Sequence, residues 1–201
     1  MIQHSFPTRR SSDLARPEYD DQLQMGQPGQ SSAARATLFT LVQLFGEEKA
    51  FGLVKRIHAN VGSYTRRATN AARAVARGDA TLAVIFLYEG ATEVAAGFPV
   101  KLITPCEGLG YDVVGMSLVK QARNRDSARL FYDWALTPEA LELEYSFSFW
   151  QMPAHRGAKL APQVPKTDGA RLVAYDSGRF GVAERKRLSE RWEREVSVLP
   201  R

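Results

Sequence analysis

The chain has one cysteine, Cys106, in 201 residues. An internal disulfide and a cysteine-rich metal site are therefore excluded. Histidine is nearly as scarce. Neither His58 nor His155 has a second His or Cys at ligand spacing, so both read as surface or packing residues. No apolar run is long enough to cross a bilayer as a helix. The first residues lack the apolar core of a secretory signal. No Gly-x-Ser-x-Gly or phosphate-loop signature occurs. Charge of one sign does not dominate any stretch either. The net charge is +5, but in AERKRLSERWEREV the basic residues alternate with acids. That is the pattern of a solvated helix face, and no nucleic-acid partner is expected. What remains is ordinary for a globular chain, 44% hydrophobic and 24% charged.

The stretch 80–120 organises the rest. Residues 81–87 (TLAVIFL) form a short, continuous, β-branched run and predict a strand buried on both faces, as in the middle of a parallel sheet. Tyr88, Glu89 and Gly90 follow at its carboxyl end, where open α/β sheets bind their ligands. Residues 100–104 (VKLIT) predict a second strand, Pro105-Cys106-Glu107-Gly108 its turn, and 111–119 (YDVVGMSLV) a third.

Before this stretch, residues 23–25 predict a strand and Gly26 to Gln30 a turn. Ser31 or Ser32 caps a helix with Leu38, Leu41, Val42 and Phe45 as its stripe, ended by Gly46. Glu47 opens a second helix with Phe51, Val54 and Ile57 inward. Residues 62–65 are extended. Thr69 or Asn70 caps a third helix, closed by Gly78. The order strand, helix, helix, strand, helix, strand is an α/β pattern with a mostly parallel sheet. Beyond Lys120, Asp126 caps a helix carrying Leu130, Phe131 and Trp134. Thr137-Pro138-Glu139 starts another that runs through LELEYSFSFW. Residues 151–169 read as a connection, 172–175 as extended, and 182–196 as a last helix with Leu188, Trp192 and Val196 on one face.

Several segments agree in order and spacing with one family. They are Arg16-Pro17-Glu18-Tyr19, LVQLFGE at 41–47, AVARG at 74–78, GFPVK at 97–101, Pro105 with Glu107-Gly108, FYDWALTPEA at 131–140, and the ending from Glu184 to Trp192. Through them the chain resembles the carboxyl-terminal half of periplasmic solute-binding proteins of ABC importers, in the branch that takes ferric iron, phosphonates or sugar phosphates. The resemblance implies a type 2 periplasmic-binding-protein-like α/β fold, two lobes closing on a solute. This chain would hold most of the second lobe plus the carboxyl-terminal part of the first. Residues 15–110 would be the second-lobe domain, 111–155 a crossing strand and first-lobe helices, and 156–201 a connection and final helix. The rest of the first lobe and an export signal would lie upstream. Residues 1–14 fit none of this, and HSFPTRRSSDL looks like a translated sequencing-adapter read. They are expected to be an artefact, and disordered.

The same resemblance implies a small-molecule or ion ligand, an ABC permease of the inner membrane as partner, a periplasmic location, no cofactor and no catalysis. Ser31 and Ser32 open a helix behind a Gly-rich turn, a natural anion site, although a serine there also serves merely as a cap. Tyr88 and Glu89 stand where ferric-binding members resemble a tyrosine pair and sugar-phosphate members a His-Asp pair. Here the neighbour of Tyr88 is Leu87, so no such tyrosine pair is intact. Tyr88 would be the metal contact if the ligand were ferric iron. Packing over the sheet edge is the plainer role for Tyr88, and solvent exposure for Glu89. Glu107 is a second carboxylate or only a turn residue. Tyr64, Thr65 and Arg66 follow a short strand, and Arg66 suits a phosphate or carboxylate, with Arg67 as its rival. An enzyme is the reading from another class, with Cys106 as nucleophile and His58 or His155 as base. The sequence places neither histidine near it. A DNA-binding regulator of the same two-lobed fold is a third reading. It would need a helix-turn-helix that residues 1–14 do not supply.

Overall fold

The computed structural model describes residues 9–201 apart from 168, 175 and 177. Three parallel strands form its centre: β1 (Leu23–Gly26), β2 (Val61–Thr65) and β3 (Leu82–Val84), in the order β2-β1-β3. The chain passes from β1 to β2 through helices α1 (Ser32–Phe45) and α2 (Glu47–His58), then back across β1 to β3 through α3 (Ala68–Arg77). Right-handed crossovers in opposite directions put α1 and α3 on opposite faces of the sheet. Helix α4 (Leu87–Ala95) follows β3. A second sheet pairs β4 (Leu109–Gly110) with β5 (Leu172–Val173) in parallel. Helices α5 (Arg125–Ala135) and α6 (Pro138–Glu142) come between them, and α7 (Val182–Glu195) closes the chain.

Local signals account for most of these elements. The Ser31 hydroxyl accepts the Ala34 N–H at 3.3 Å and caps α1. Gly46 at φ 79° and Gly78 at φ 82° end α1 and α3. Thr137 caps α6 by accepting the Ala140 N–H at 3.3 Å. The main core lies between the sheet and α1, α2 and α7. It contains Leu23, Met25, Leu38, Phe39, Val42, Phe51, Val61, Phe180, Leu188 and Trp192. Phe39 and Phe180 stack with centroids 5.2 Å apart. Phe45, expected on the α1 stripe, is 37% exposed.

The α2–α7 seam is fastened by charge. Arg187 pairs with Glu47 at 2.6 Å, and Arg191 reaches Glu47 at 2.5 Å, Glu48 at 2.7 Å and Glu195 at 2.8 Å. The Arg191 guanidinium lies 4.3 Å over the Phe51 ring. Hydrogen bonds from Arg187, supported by Arg191, hold the Glu47 carboxyl at about 2 against an ordinary 4.5, overcoming the burial that pushes it up. A depressed carboxylate gives stability that is complete above the unfolded value and lost as pH falls through the folded one. The melting temperature should therefore fall between about pH 4.5 and 2, and Glu47→Gln should flatten that part of the profile while lowering stability at pH 7. Scanning calorimetry across pH checks this, and an unchanged acid limb in Glu47→Gln would remove Glu47 as its source.

Several expectations need correction. The 81–87 strand is shorter, Leu82–Val84, and the chain is helical from Leu87. Residues 100–104 and 111–119 pair with no strand among the described residues. An extended segment becomes a strand only when a neighbour supplies hydrogen bonds, and here none does. The helix expected to run through LELEYSFSFW stops as a 3-10 turn at Leu143–Phe147, because Ser148 takes a left-handed conformation at φ 60°. Part of the segment expected to be disordered is ordered. Ser11–Ala15 forms a 3-10 turn with Asp13 accepting the N–H groups of Arg9 and Arg10, each at 2.9 Å, and Leu14 packs on the core. Residues 1–8, and Tyr175 at the end of the expected 172–175 segment, lie outside the described residues.

Candidate functional site

The three central strands end level. Gly26 pairs with Thr65, and Met25 with Val84. A helix begins just beyond each end: α1 after the Gln27–Gln30 turn, α3 at Ala68 and α4 at Leu87. Three helix N-termini thus meet one edge of the sheet, each with N–H groups its own helix cannot satisfy and a positive dipole end. The chain reverses its order at β1, and that switch point is where such sheets hold ligands.

Around this edge the expected residues fall into different roles. Ser31 is buried, and its hydroxyl is spent on capping α1. The chain folds back so tightly there that a Cβ on Gly26 would lie 2.5 Å from the Ser31 Oγ. Ser32 is exposed at the first position of α1. Thr65 donates its hydroxyl to the Arg67 carbonyl at 3.0 Å and shapes the turn into α3. Arg66 and Arg67 are exposed, with no ion-pair partner for either side chain among the described residues.

Tyr88 and Glu89 occupy the first turn of α4 rather than a strand end. Glu89 is not in solvent. It is 8% exposed, its carboxylate accepts the Phe86 N–H at 3.0 Å, and burial raises its pKa against that bond. The Tyr88 ring stacks with Phe86 at 5.9 Å and with Phe149 at 5.7 Å, and burial pushes its phenol up, so it stays protonated.

Tyr64 is turned away from the edge. Its hydroxyl lies 2.8 Å from His58 Nδ1, and its ring meets Trp192 edge-on at 5.4 Å. Burial raises its pKa strongly. His58, 2% exposed, bridges this hydroxyl and the Leu199 carbonyl, 3.1 Å from Nε2. Glu107 accepts the Ser11 N–H at 2.6 Å and lies 3.4 Å from the exposed Cys106 thiol. Burial works to raise the Glu107 carboxyl, and hydrogen bonds from Ser11, from its own backbone and from Cys106 together leave it lowered. His155 is exposed and accepts the Gly157 N–H at 3.0 Å. Both histidines therefore bond elsewhere, and neither is set up as a base for Cys106. Phe149, which stacks with the Tyr88 ring across the fold, was not among the expected site residues, and nothing in local spacing could have found it.

Residues 4–177 match the family of bacterial extracellular solute-binding proteins. The chain belongs to that family. An uncharacterized protein of Haemophilus influenzae is 39% identical over 188 residues, which cover 92% of this chain and 54% of that protein. The periplasmic binding protein AfuA from Actinobacillus pleuropneumoniae, solved with exogenous fructose-6-phosphate bound, superimposes with a TM-score of 0.90 at 35% identity, covering 95% of this chain and 60% of AfuA. The periplasmic binding protein P5PA superimposes with a TM-score of 0.82 at 29% identity, covering 94% of this chain and 60% of P5PA. The chain has the α/β fold of periplasmic binding proteins and spans a little over half the length of these relatives. Within this solute-binding fold, the edge where α1, α3 and α4 begin is the candidate ligand wall.

Proposed function

We propose that this chain is part of the periplasmic ligand-binding component of an ABC importer, and that it captures a sugar phosphate or a related organic phosphate. The observation that carries the reading is the sheet edge itself. Three helix N-termini gather there with Arg66 and Arg67, which have no ion-pair partner among the described residues. Backbone N–H groups and a guanidinium are the donors a phosphate group takes. The similarity to AfuA, solved with fructose-6-phosphate bound, supports the same choice. Ser32, Thr65, Arg66 and the Tyr88 hydroxyl are the proposed contacts. Ser31 and Glu89 hold helix starts in place, while Tyr64 bonds with His58 and Glu107 with Ser11. Ferric iron is the weaker alternative, since iron takes phenolates and Tyr88 sits in surroundings that favour the phenol. The other wall of the cleft would come from the rest of the full-length protein. A solute touching both lobes favours the closed state, which is what a permease would recognise.

Thermal-shift screening of the full-length protein tests this. Fructose 6-phosphate at about 100 times its Kd should add about 2.7 kcal/mol of stability. Arg66→Ala should weaken its binding at least about tenfold, the order of a lost charge-assisted hydrogen bond. Stabilisation by ferric salts alone, with none by organic phosphates, would sink the reading.

A further inference from the structure

Strand β2 is one edge of the central sheet. It pairs with β1 on one side and, among the described residues, with no strand on the other. An edge of this kind offers its free N–H and C=O groups to any strand that reaches it. Proteins defend such edges with charge, proline, a bulge or a covering segment. The five residues of β2, Val61-Gly62-Ser63-Tyr64-Thr65, include no charge and no proline. Ser63, the middle one, is exposed. Beyond the bulge at Gly62, the defence has to come from elsewhere in the chain. Residues 197–201 supply it. The Ser197 hydroxyl donates to the Glu193 carbonyl at 2.7 Å, tying the segment to the end of α7. The Leu199 carbonyl lies 3.1 Å from His58 Nε2 on α2. Arg201 then donates from one guanidinium nitrogen to the carbonyls of Val61 and Gly62, at 3.4 and 3.3 Å. The neighbouring Asn60 carbonyl is spent on β1, where it accepts the Leu23 N–H at 3.2 Å. The bulge leaves Gly62 outside the ladder, so two consecutive carbonyls are open to one arginine. The cover stops there. A recess of about 330 Å³, lined from the strand by Ser63 and Tyr64 and from the segment by Ser197 and Arg201, leaves the rest of the edge bare.

We infer that residues 197–201 are a strap that guards the outer edge of β2, and that releasing it lets a second copy of the protein add its own β2 edge to edge. Two uncharged strands meet without repulsion, and a two-fold axis lets each copy use the same surface. Arg201 is the clasp, because it alone of the strap's side chains bonds to the edge itself. It brings to β2 the positive charge that the strand's own sequence does not carry. The contact is independent of the ligand wall, so it stands whichever solute the protein takes. Each copy has to open its own strap before the strands can pair. The fraction open therefore enters the pairing equilibrium twice.

Sedimentation equilibrium of the full-length protein tests this. The unmodified protein should remain monomeric. Arg201→Ala removes hydrogen bonds from a charged donor and should raise the open fraction about tenfold. With two straps to open, the dimer dissociation constant should then fall about a hundredfold. Arg201→Lys keeps a charged donor at the edge and should stay near the unmodified protein. Ser63→Lys, added to Arg201→Ala, puts a charge on the strand itself and should restore the monomer. That rescue separates a guarded edge from mere loss of stability, which a lysine at an exposed position would not mend. Self-association of Arg201→Ala no stronger than that of the unmodified protein overturns the inference. So does association that persists in the Ser63→Lys, Arg201→Ala double variant, since it would run through another surface. An unmodified protein that already dimerises, and is dissociated by Ser63→Lys alone, would show the edge in use with the strap in place and overturns it as well.

Discussion

Produced by itself, the 201-residue chain should elute from a size-exclusion column as associated species, and should bind fructose 6-phosphate far more weakly than the full-length protein. From residue 111 to residue 149 not one residue is buried. Val114 is 85% exposed, Leu130 73% and Phe147 74%, and the exposed rings of Phe131 and Trp134 meet at a tilt, 5.4 Å apart. Covering one such side chain is worth roughly 1.5–3 kcal/mol, and the net stability of a domain is about 5–15 kcal/mol. A few of these left in water therefore rival the stability of the whole fold, and exposed apolar side chains in this number drive association. The chain spans 60% of the AfuA length, so the cover has a natural source in the rest of the protein. Hydrogen exchange should divide the chain the same way, with slow amides in β1, α1, α2 and α7 and fast ones from α5 to the Leu143–Phe147 turn. A monodisperse chain with undiminished affinity would mean that its site is complete and that this surface is tolerated bare.

What was legible in the sequence was local. Ser31, Gly46 and Gly78 announce the ends of α1 and α3 through their own side-chain chemistry or backbone freedom. Leu188, Trp192 and Val196 recur one turn apart and are all buried. The β1-α1-α2-β2-α3-β3 order gave the parallel sheet and the edge proposed as the ligand wall. What was not legible depends on partners far along the chain. Residues 111–119 carry a strand composition and become no strand here, because pairing is a property of two segments. Residues 82–87 are apolar throughout, and periodicity cannot tell a buried strand from one that turns into a helix after Val84. Phe86 stands at the N-cap of α4 with no polar side chain to signal it.

Tyr64 shows how little is needed to mislead. Leu23 pairs with Val61, but Gln24 pairs with Ser63, so Gly62 is an extra residue in β2. A bulge of one residue reverses the alternation beyond it. Tyr64 therefore comes opposite Met25, on the core face. Glycine is required at the bulge, since a Cβ there would lie 2.5 Å from the Asp21 carbonyl.

The same core-facing Tyr64 makes the last helix indispensable, and Trp192→Ala should be among the most damaging single substitutions in the protein. Trp192 is 1% exposed, and Leu188 on α7 and Val196 at its C-cap are each 0%. It meets the Tyr64 ring edge-on, and Tyr64 in turn holds His58, which holds the Leu199 carbonyl. One side chain thus joins α7, β2, α2 and the chain's end. Removing a buried tryptophan costs about 3–5 kcal/mol, because the cavity it leaves does not collapse. That is a large part of the about 5–15 kcal/mol a domain has. The ion pairs along the α2–α7 seam do not offset it, since partly exposed pairs contribute about 0–1 kcal/mol each. Urea unfolding of the full-length protein should show the midpoint falling while the slope is kept, the mark of lost stability without a changed unfolded state. Val198→Ala, at a position 70% exposed, should stay within about 0.5 kcal/mol and serves as the control. A Trp192→Ala midpoint equal to that of Val198→Ala would mean that α7 lies on the core without holding it together.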